Sequence, residues 1–99
     1  MLITKELEET IPAMYSDDNT KLEEKIIYAK FYIHNWTWWI LEYSKEERVF
    51  FAYVQGLEKE LGYVSLEELE NLNINGLKVE RDLYFTPTKF KKIKELQCM

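Results

Sequence analysis

The sequence is poor in the residues that most often announce a chemistry. In 99 residues it has one cysteine (Cys98), one histidine (His34), three glycines and two prolines. A single cysteine excludes a disulfide framework and any paired-cysteine zinc site, and it fits a reducing compartment. One histidine with a distant cysteine leaves no histidine-pair metal site and no Cys/His nucleophilic pair. The glycines form neither GxGxxG nor a P-loop, and GxSxG and HExxH are missing. No catalytic residue, metal ligand or cofactor is therefore assigned. The longest near-apolar run, residues 36–41, is too short to span a bilayer. The opening MLITKELEET is acidic and lacks an apolar stretch of signal-peptide length. A cytoplasmic protein with no membrane partner is expected.

What is present argues for one compact core. The chain is 46% hydrophobic and 15% aromatic, too apolar for disorder, and its length suits a single domain over residues 1–99. Thirteen Lys and Arg against eighteen Asp and Glu give a net charge of −5, which excludes general nucleic-acid binding through a basic footprint. The charge is bipolar. Residues 1–24 hold two lysines against seven acids, whereas residues 86–99 hold four lysines and one glutamate.

Local pattern predicts an α+β fold, an antiparallel sheet of four to five strands with three short helices. Thr4 is placed to cap a first helix that Pro12 limits. SDDNTK, residues 16–21, reads as a loop. Three runs rich in β-branched and aromatic residues (25–33, 36–43 and 48–54) are joined by short connectors, as consecutive antiparallel strands would be. Strict alternation in the second run would put Trp36, Trp38, Ile40 and Glu42 on one face and Thr37, Trp39, Leu41 and Tyr43 on the other. Residues 62–64 read as a short strand leading into a capping box, Ser65-Leu66-Glu67-Glu68, and a helix that ends before Asn75-Gly76. Residues 77–85 read as a further strand. A final helix over 89–97, capped by Thr88, would bury Phe90, Ile93 and Leu96 or Gln97.

Two constellations could carry function. Trp36, Trp38 and Trp39, with Tyr43 close by, could stack on a base or on a partner's side chain, or simply build the core. Glu80 and Asp82 would share one strand face, with Arg81 opposite. The two acids could hold Mg²⁺ or act as a base, Arg81 could clamp a carboxylate or phosphate, or all three could form structural ion pairs. His34 is expected in an exposed turn. Lys89, Lys91, Lys92 and Lys94 read as a solvated helix face.

Three segments carry a resemblance. TWWILEY (residues 37–43), ELGYVSLEEL (60–69) and VERDLYFTP (79–87) are similar to the motifs of a domain-of-unknown-function family of small proteins carried by phages, plasmids and conjugative elements. The matching positions are Trp36, Thr37, Trp38 and Glu42; Glu60, Leu61, Gly62 and Tyr63; Ser65, Leu66, Glu68 and Leu69; and Glu80, Arg81, Asp82, Phe85 and Pro87. The chain departs from the pattern at Phe51-Ala52, where the family tends to have Phe-Gly, and at His34-Asn35, where a proline is common. The resemblance implies a mobile-element origin and no established activity. Accessory proteins of such elements often blunt host defences by mimicking DNA, occluding an effector or sequestering a signalling nucleotide.

The expectation is a non-catalytic counter-defence factor in the host cytoplasm. It would bind a host defence protein or a small anionic ligand, as monomer or homodimer, through Trp36, Trp38, Glu42, Tyr63, Glu80, Arg81 and Asp82. The alternatives are a metal-dependent nuclease or hydrolase using Glu42, Glu80 and Asp82, and a DNA mimic.

Overall fold

The computed structural model describes residues 2–16 and 19–97. Asp17 and Asp18 of the expected loop, Cys98 and the side chain of Gln97 lie outside the described residues. Helix α1, Lys5–Thr10, begins where the Thr4 hydroxyl accepts the Leu7 N–H at 3.1 Å, and it leads into Ile11 and Pro12. The chain continues through a 3₁₀ turn (Leu22–Glu24), β1 (Ile26–Ile27), β2 (Ala29–Ile33), β3 (Trp36–Ser44), β4 (Val49–Gln55) and β5 (Lys59–Ser65). Helix α2, Leu66–Asn71, follows, its first turn capped by the Ser65 hydroxyl accepting from the Glu68 N–H. After it come β6 (Asn73–Ile74), β7 (Leu77–Lys78), β8 (Glu80–Arg81), β9 (Thr88–Lys89), a 3₁₀ turn (Phe90–Lys92) and a single turn, α3 (Lys94–Gln97).

Five strands form one antiparallel sheet in the order β5-β4-β3-β2-β8. The α+β architecture is as expected, with two corrections. The helix expected over 89–97 does not form as one element, so two six-residue helices carry the helical layer. Thr88 and Lys89 pair with Ile27 and Ile26 instead, and the Phe90 N–H donates to the Lys25 carbonyl at 2.8 Å. These bonds take up the backbone groups a helix start would have used. Phe90, Ile93 and Leu96 still form the inward stripe. The strand expected over 77–85 is also broken. Asn75 and Gly76 both have positive φ, the requirement of a tight type I′ turn, and they close a small β6–β7 hairpin.

The sheet is buried on both faces. On the helix face, Phe31, Trp38, Ile40, Tyr43 and Phe50 pack with Leu7 and Ile11 from the α1 region and with Leu66 and Leu69 of α2. On the opposite face, here the tail face, Trp39 and Leu41 pack with Ile27, Ile93 and Leu96. One irregularity corrects the expected alternation in β3. The pairing with β4 runs regularly to Ile40–Ala52 and resumes at Glu42–Phe51, so Leu41 is an extra residue. A bulge of this kind reverses the parity beyond it. Tyr43 therefore joins Trp38 and Ile40 on the helix face, and Glu42 pairs with Phe51 of the tail face.

Two groups near the ends of this assembly make it testable. Lys91 and Lys89 bond to opposite oxygens of Glu24 at 2.6 and 3.1 Å and hold its carboxyl below the ordinary value of 4.5. Because the folded value is depressed, the clamp is intact above 4.5 and is lost as pH falls through the lowered value. The protection factor of the Phe90 amide against hydrogen exchange should fall in that acid range, and Glu24→Gln should lower it equally at neutral pH.

The Tyr43 hydroxyl is buried with no hydrogen-bond partner among the described residues, and burial raises its pKa above 10. Removing an unsatisfied buried hydroxyl without changing shape should stabilise. Tyr43→Phe is expected to gain about 1 kcal/mol, read as a rise of roughly 5 °C in thermal midpoint.

Candidate functional site

The seven residues expected to converge on one surface are divided between the two sheet faces. Trp36 and Trp38 lie on the helix face, their rings stacked 25° apart in plane with centroids 6.0 Å apart. Trp38 is only 6% exposed. Trp36 is half-buried and lies against the turn after β4, where a Cβ at Gly56 would overlap its ring. Gly56 is thus fixed by a close aromatic approach, a constraint that an isolated glycine in the sequence does not reveal. These indoles are packed against each other and their own backbone rather than set out as an open row.

Glu42 and Tyr63 belong to another row. Glu42 of β3, Phe51 of β4 and Tyr63 of β5 are cross-strand neighbours on the tail face. Glu42 is 3% exposed, and its Oε1 accepts the Tyr15 N–H at 3.0 Å, tying the segment after α1 to the sheet. Tyr63 is 59% exposed, its ring 5.3 Å from that of Phe51.

Glu80 and Asp82 share the tail face as the strand period predicts, since Glu80 pairs with Tyr32 and the Asp82 N–H donates to the Lys30 carbonyl. Asp82 is engaged. Its Oδ1 accepts the Tyr84 N–H at 2.9 Å, and its Oδ2 lies 4.0 Å from Lys30 Nζ. Lys30 in turn sits 5.0 Å over the Trp39 ring, and Trp39 donates to Gln55 at 2.7 Å. Glu42 lies two strands away from β8 and several residues further along β3, a separation above about 10 Å from strand spacing and rise. The three carboxylates that a metal-dependent hydrolase would use are not brought together. No group of three or more His, Cys, Asp or Glu among the described residues could hold a metal ion.

Arg81 has the most distinctive setting. It pairs with Phe31 and so points to the helix face, opposite Glu80 and Asp82. It is partly buried, and its guanidinium makes no ion pair or hydrogen bond with any described residue. It lines two grooves. One, of about 530 Å³, is formed with Leu2, Glu70, Lys78, Val79, Glu80 and Leu83. The other, of about 340 Å³, is formed with residues of the α1 region, Tyr28, Phe85 and Pro87. Glu70 of the first groove is already committed, its Oε2 accepting the Leu2 N–H at 3.1 Å.

The turn after β8 leaves Leu83 and Tyr84 exposed, Tyr84 at 95%. A strand running to residue 85 would have hidden every second one of them. The signal for the turn was Asp82, whose carboxylate accepts the N–H two residues on, as Asp does in turns. His34 is exposed in the β2–β3 turn, as its sequence context suggests.

Truncating the aromatic wall should therefore act on the fold. Trp38→Ala is expected to cost about 3–5 kcal/mol in urea melts. Exposed Glu80→Gln should leave the midpoint within about 0.5 kcal/mol.

No helix among the described residues is long and apolar enough to cross a membrane. No curated protein and no solved structure matches the chain. A family model, described as protein of unknown function (DUF2958), matches residues 2–93. That span takes in α1, α2, the whole five-stranded sheet and Arg81, and the chain belongs to this family.

Proposed function

We propose that this protein is a non-catalytic accessory factor of a phage or other mobile element that counters host defence by binding. The bound group is an anion, phosphate or carboxylate, gripped by Arg81. The observation that carries this reading is a partly buried guanidinium with no ion pair or hydrogen bond among the described residues, set between two grooves.

Taking a charge partly out of water without a partner is unfavourable. An arriving oxyanion removes that cost and supplies two parallel charge-assisted hydrogen bonds to the planar fork. Lys78 on the wall of the larger groove adds a second cation. Leu83 on the same wall offers the apolar contact that helps to dry a polar anchor.

The test is titration calorimetry of the wild type, Arg81→Ala and Arg81→Lys. The titrants are inorganic phosphate, mono- and dinucleotides and purified host defence proteins. A charge-assisted hydrogen bond contributes about 1.5–3 kcal/mol, so Arg81→Ala should weaken binding by roughly 10- to 100-fold. Arg81→Lys should fall between the two. Saturable binding of free nucleotides would identify a small ligand as the anion source, and binding confined to one of the proteins would identify an acidic surface. Equal affinity of the wild type and Arg81→Ala for every titrant that binds would overturn the reading.

A further inference from the structure

β5 is the free edge of the five-stranded sheet at the end opposite β8. Its pairing with β4 is regular throughout, without a bulge, and it contains no proline to blunt it. The direction of its backbone groups follows from the two ends of this ladder. The Leu66 N–H donates to the Arg48 carbonyl at 2.9 Å, and the Gly56 N–H donates to the Glu58 carbonyl at 3.0 Å. Hydrogen-bonded pairs alternate along an antiparallel ladder. Glu60, Gly62 and Val64 therefore turn their amides toward β4, and Lys59 and Leu61 turn theirs to the open side. Leu61 and the adjoining Leu57 are exposed, Leu57 at 93%.

Beside this edge, on the helix face, runs a groove of about 430 Å³. Trp38, Val64, Leu69 and Leu72 form its apolar walls, and Glu67 and Glu68 stand on its rim. The cross-strand rows containing Trp38 and Val64 flank the row Ile40–Ala52–Gly62, so Gly62 lies at the mouth of the groove. A Cβ at Gly62 would meet no atom within 4 Å, and its backbone is not in the left-handed region. Neither crowding nor conformation inside this chain calls for glycine there, although glycine weakens a strand. The missing side chain opens a path from the edge into the groove.

We infer that β5 and this groove take up an extended, basic segment of a partner protein as a sixth strand, with one of its side chains passing over Gly62. Main-chain bonds to Lys59 and Leu61 supply the pairing, and the groove reads the inserted side chain. Charge selects the occupant. Glu60 on the helix-face side of β5 and the rim residues Glu67 and Glu68 are exposed, and none has an ion pair among the described residues. Lysine or arginine in the added strand complements them. A second copy pairing through its own β5 would bring its Glu60 against the same acids, and like charges oppose that arrangement.

The experiment is selection of random ten-residue peptides displayed on phage against the full chain. Recovered peptides are then synthesised and measured by fluorescence anisotropy. Lysine or arginine alternating with β-branched or aromatic residues is expected, with slowed amide exchange at Lys59 and Leu61 on binding.

Gly62→Val should keep or raise the melting temperature and weaken binding at least tenfold. The double reversal Glu67→Lys with Glu68→Lys should weaken it similarly. Arg81→Ala should leave it unchanged, which separates this surface from the anion site. Acidic peptides, no enriched peptides, or full binding by folded Gly62→Val would overturn the inference. So would a concentration-dependent dimer in sedimentation that Gly62→Val abolishes, because the edge would then belong to a second copy.

Discussion

One inserted residue, Leu41, decides which side chains of β3 reach the helices and which reach the tail. A nine-residue central strand carrying three indoles and a tyrosine has more bulk than one face can hold, and this sheet buries both. Before Leu41 the strand sends Trp38 and Ile40 to the helices and Trp39 to the tail. The bulge shifts the phase so that Tyr43 returns to the helix face, where its ring packs 4.6 Å from that of Phe50. It also turns the Glu42 carboxylate toward the Tyr15 amide. Without the shift, Tyr43 would leave the cluster beneath α1 and α2, and Glu42 would take its place among apolar side chains, where an unpaired carboxylate is costly.

The regular elements were legible wherever a local rule decides them. Thr4 and Ser65 cap helices because their hydroxyls reach the N–H three residues on. The β2–β3–β4 meander follows from three apolar runs with short connectors. The signals that failed were those a tertiary partner overrides. Thr88 looks like a cap, yet its backbone is claimed by Ile27 across most of the sequence. The helix ends before Asn75-Gly76 as its sequence suggests, and the same dipeptide, a strong hairpin signal, goes on to close the β6–β7 turn. At the candidate site, the opposition of Arg81 to Glu80 and Asp82 followed from strand period alone. The separation of Glu42 from Trp38 did not, because one inserted residue reverses parity and nothing in the side-chain pattern marks it.

The two surfaces differ in polarity and in construction. The proposed anion site sets the Arg81 guanidinium between two grooves, at a two-residue strand closely followed by an exposed turn. The β5 edge offers backbone groups and an apolar groove rimmed by acids. They lie at opposite margins of the sheet, β8 and β5. Under the two proposals the chain would meet two chemically distinct features of one target, or two targets, from opposite margins of one sheet.

The strand order also dictates an order of assembly. Residues 29–65 zip up as successive hairpins whose connectors are short, so their closure is entropically cheap and early. β8 must then come back to β2, and β9 to β1, from far along the chain. During synthesis the meander and its β5 edge can be complete while the last third is still emerging. The guanidinium pocket, by contrast, exists only once the final strands have docked, so its integrity reports the completion of folding.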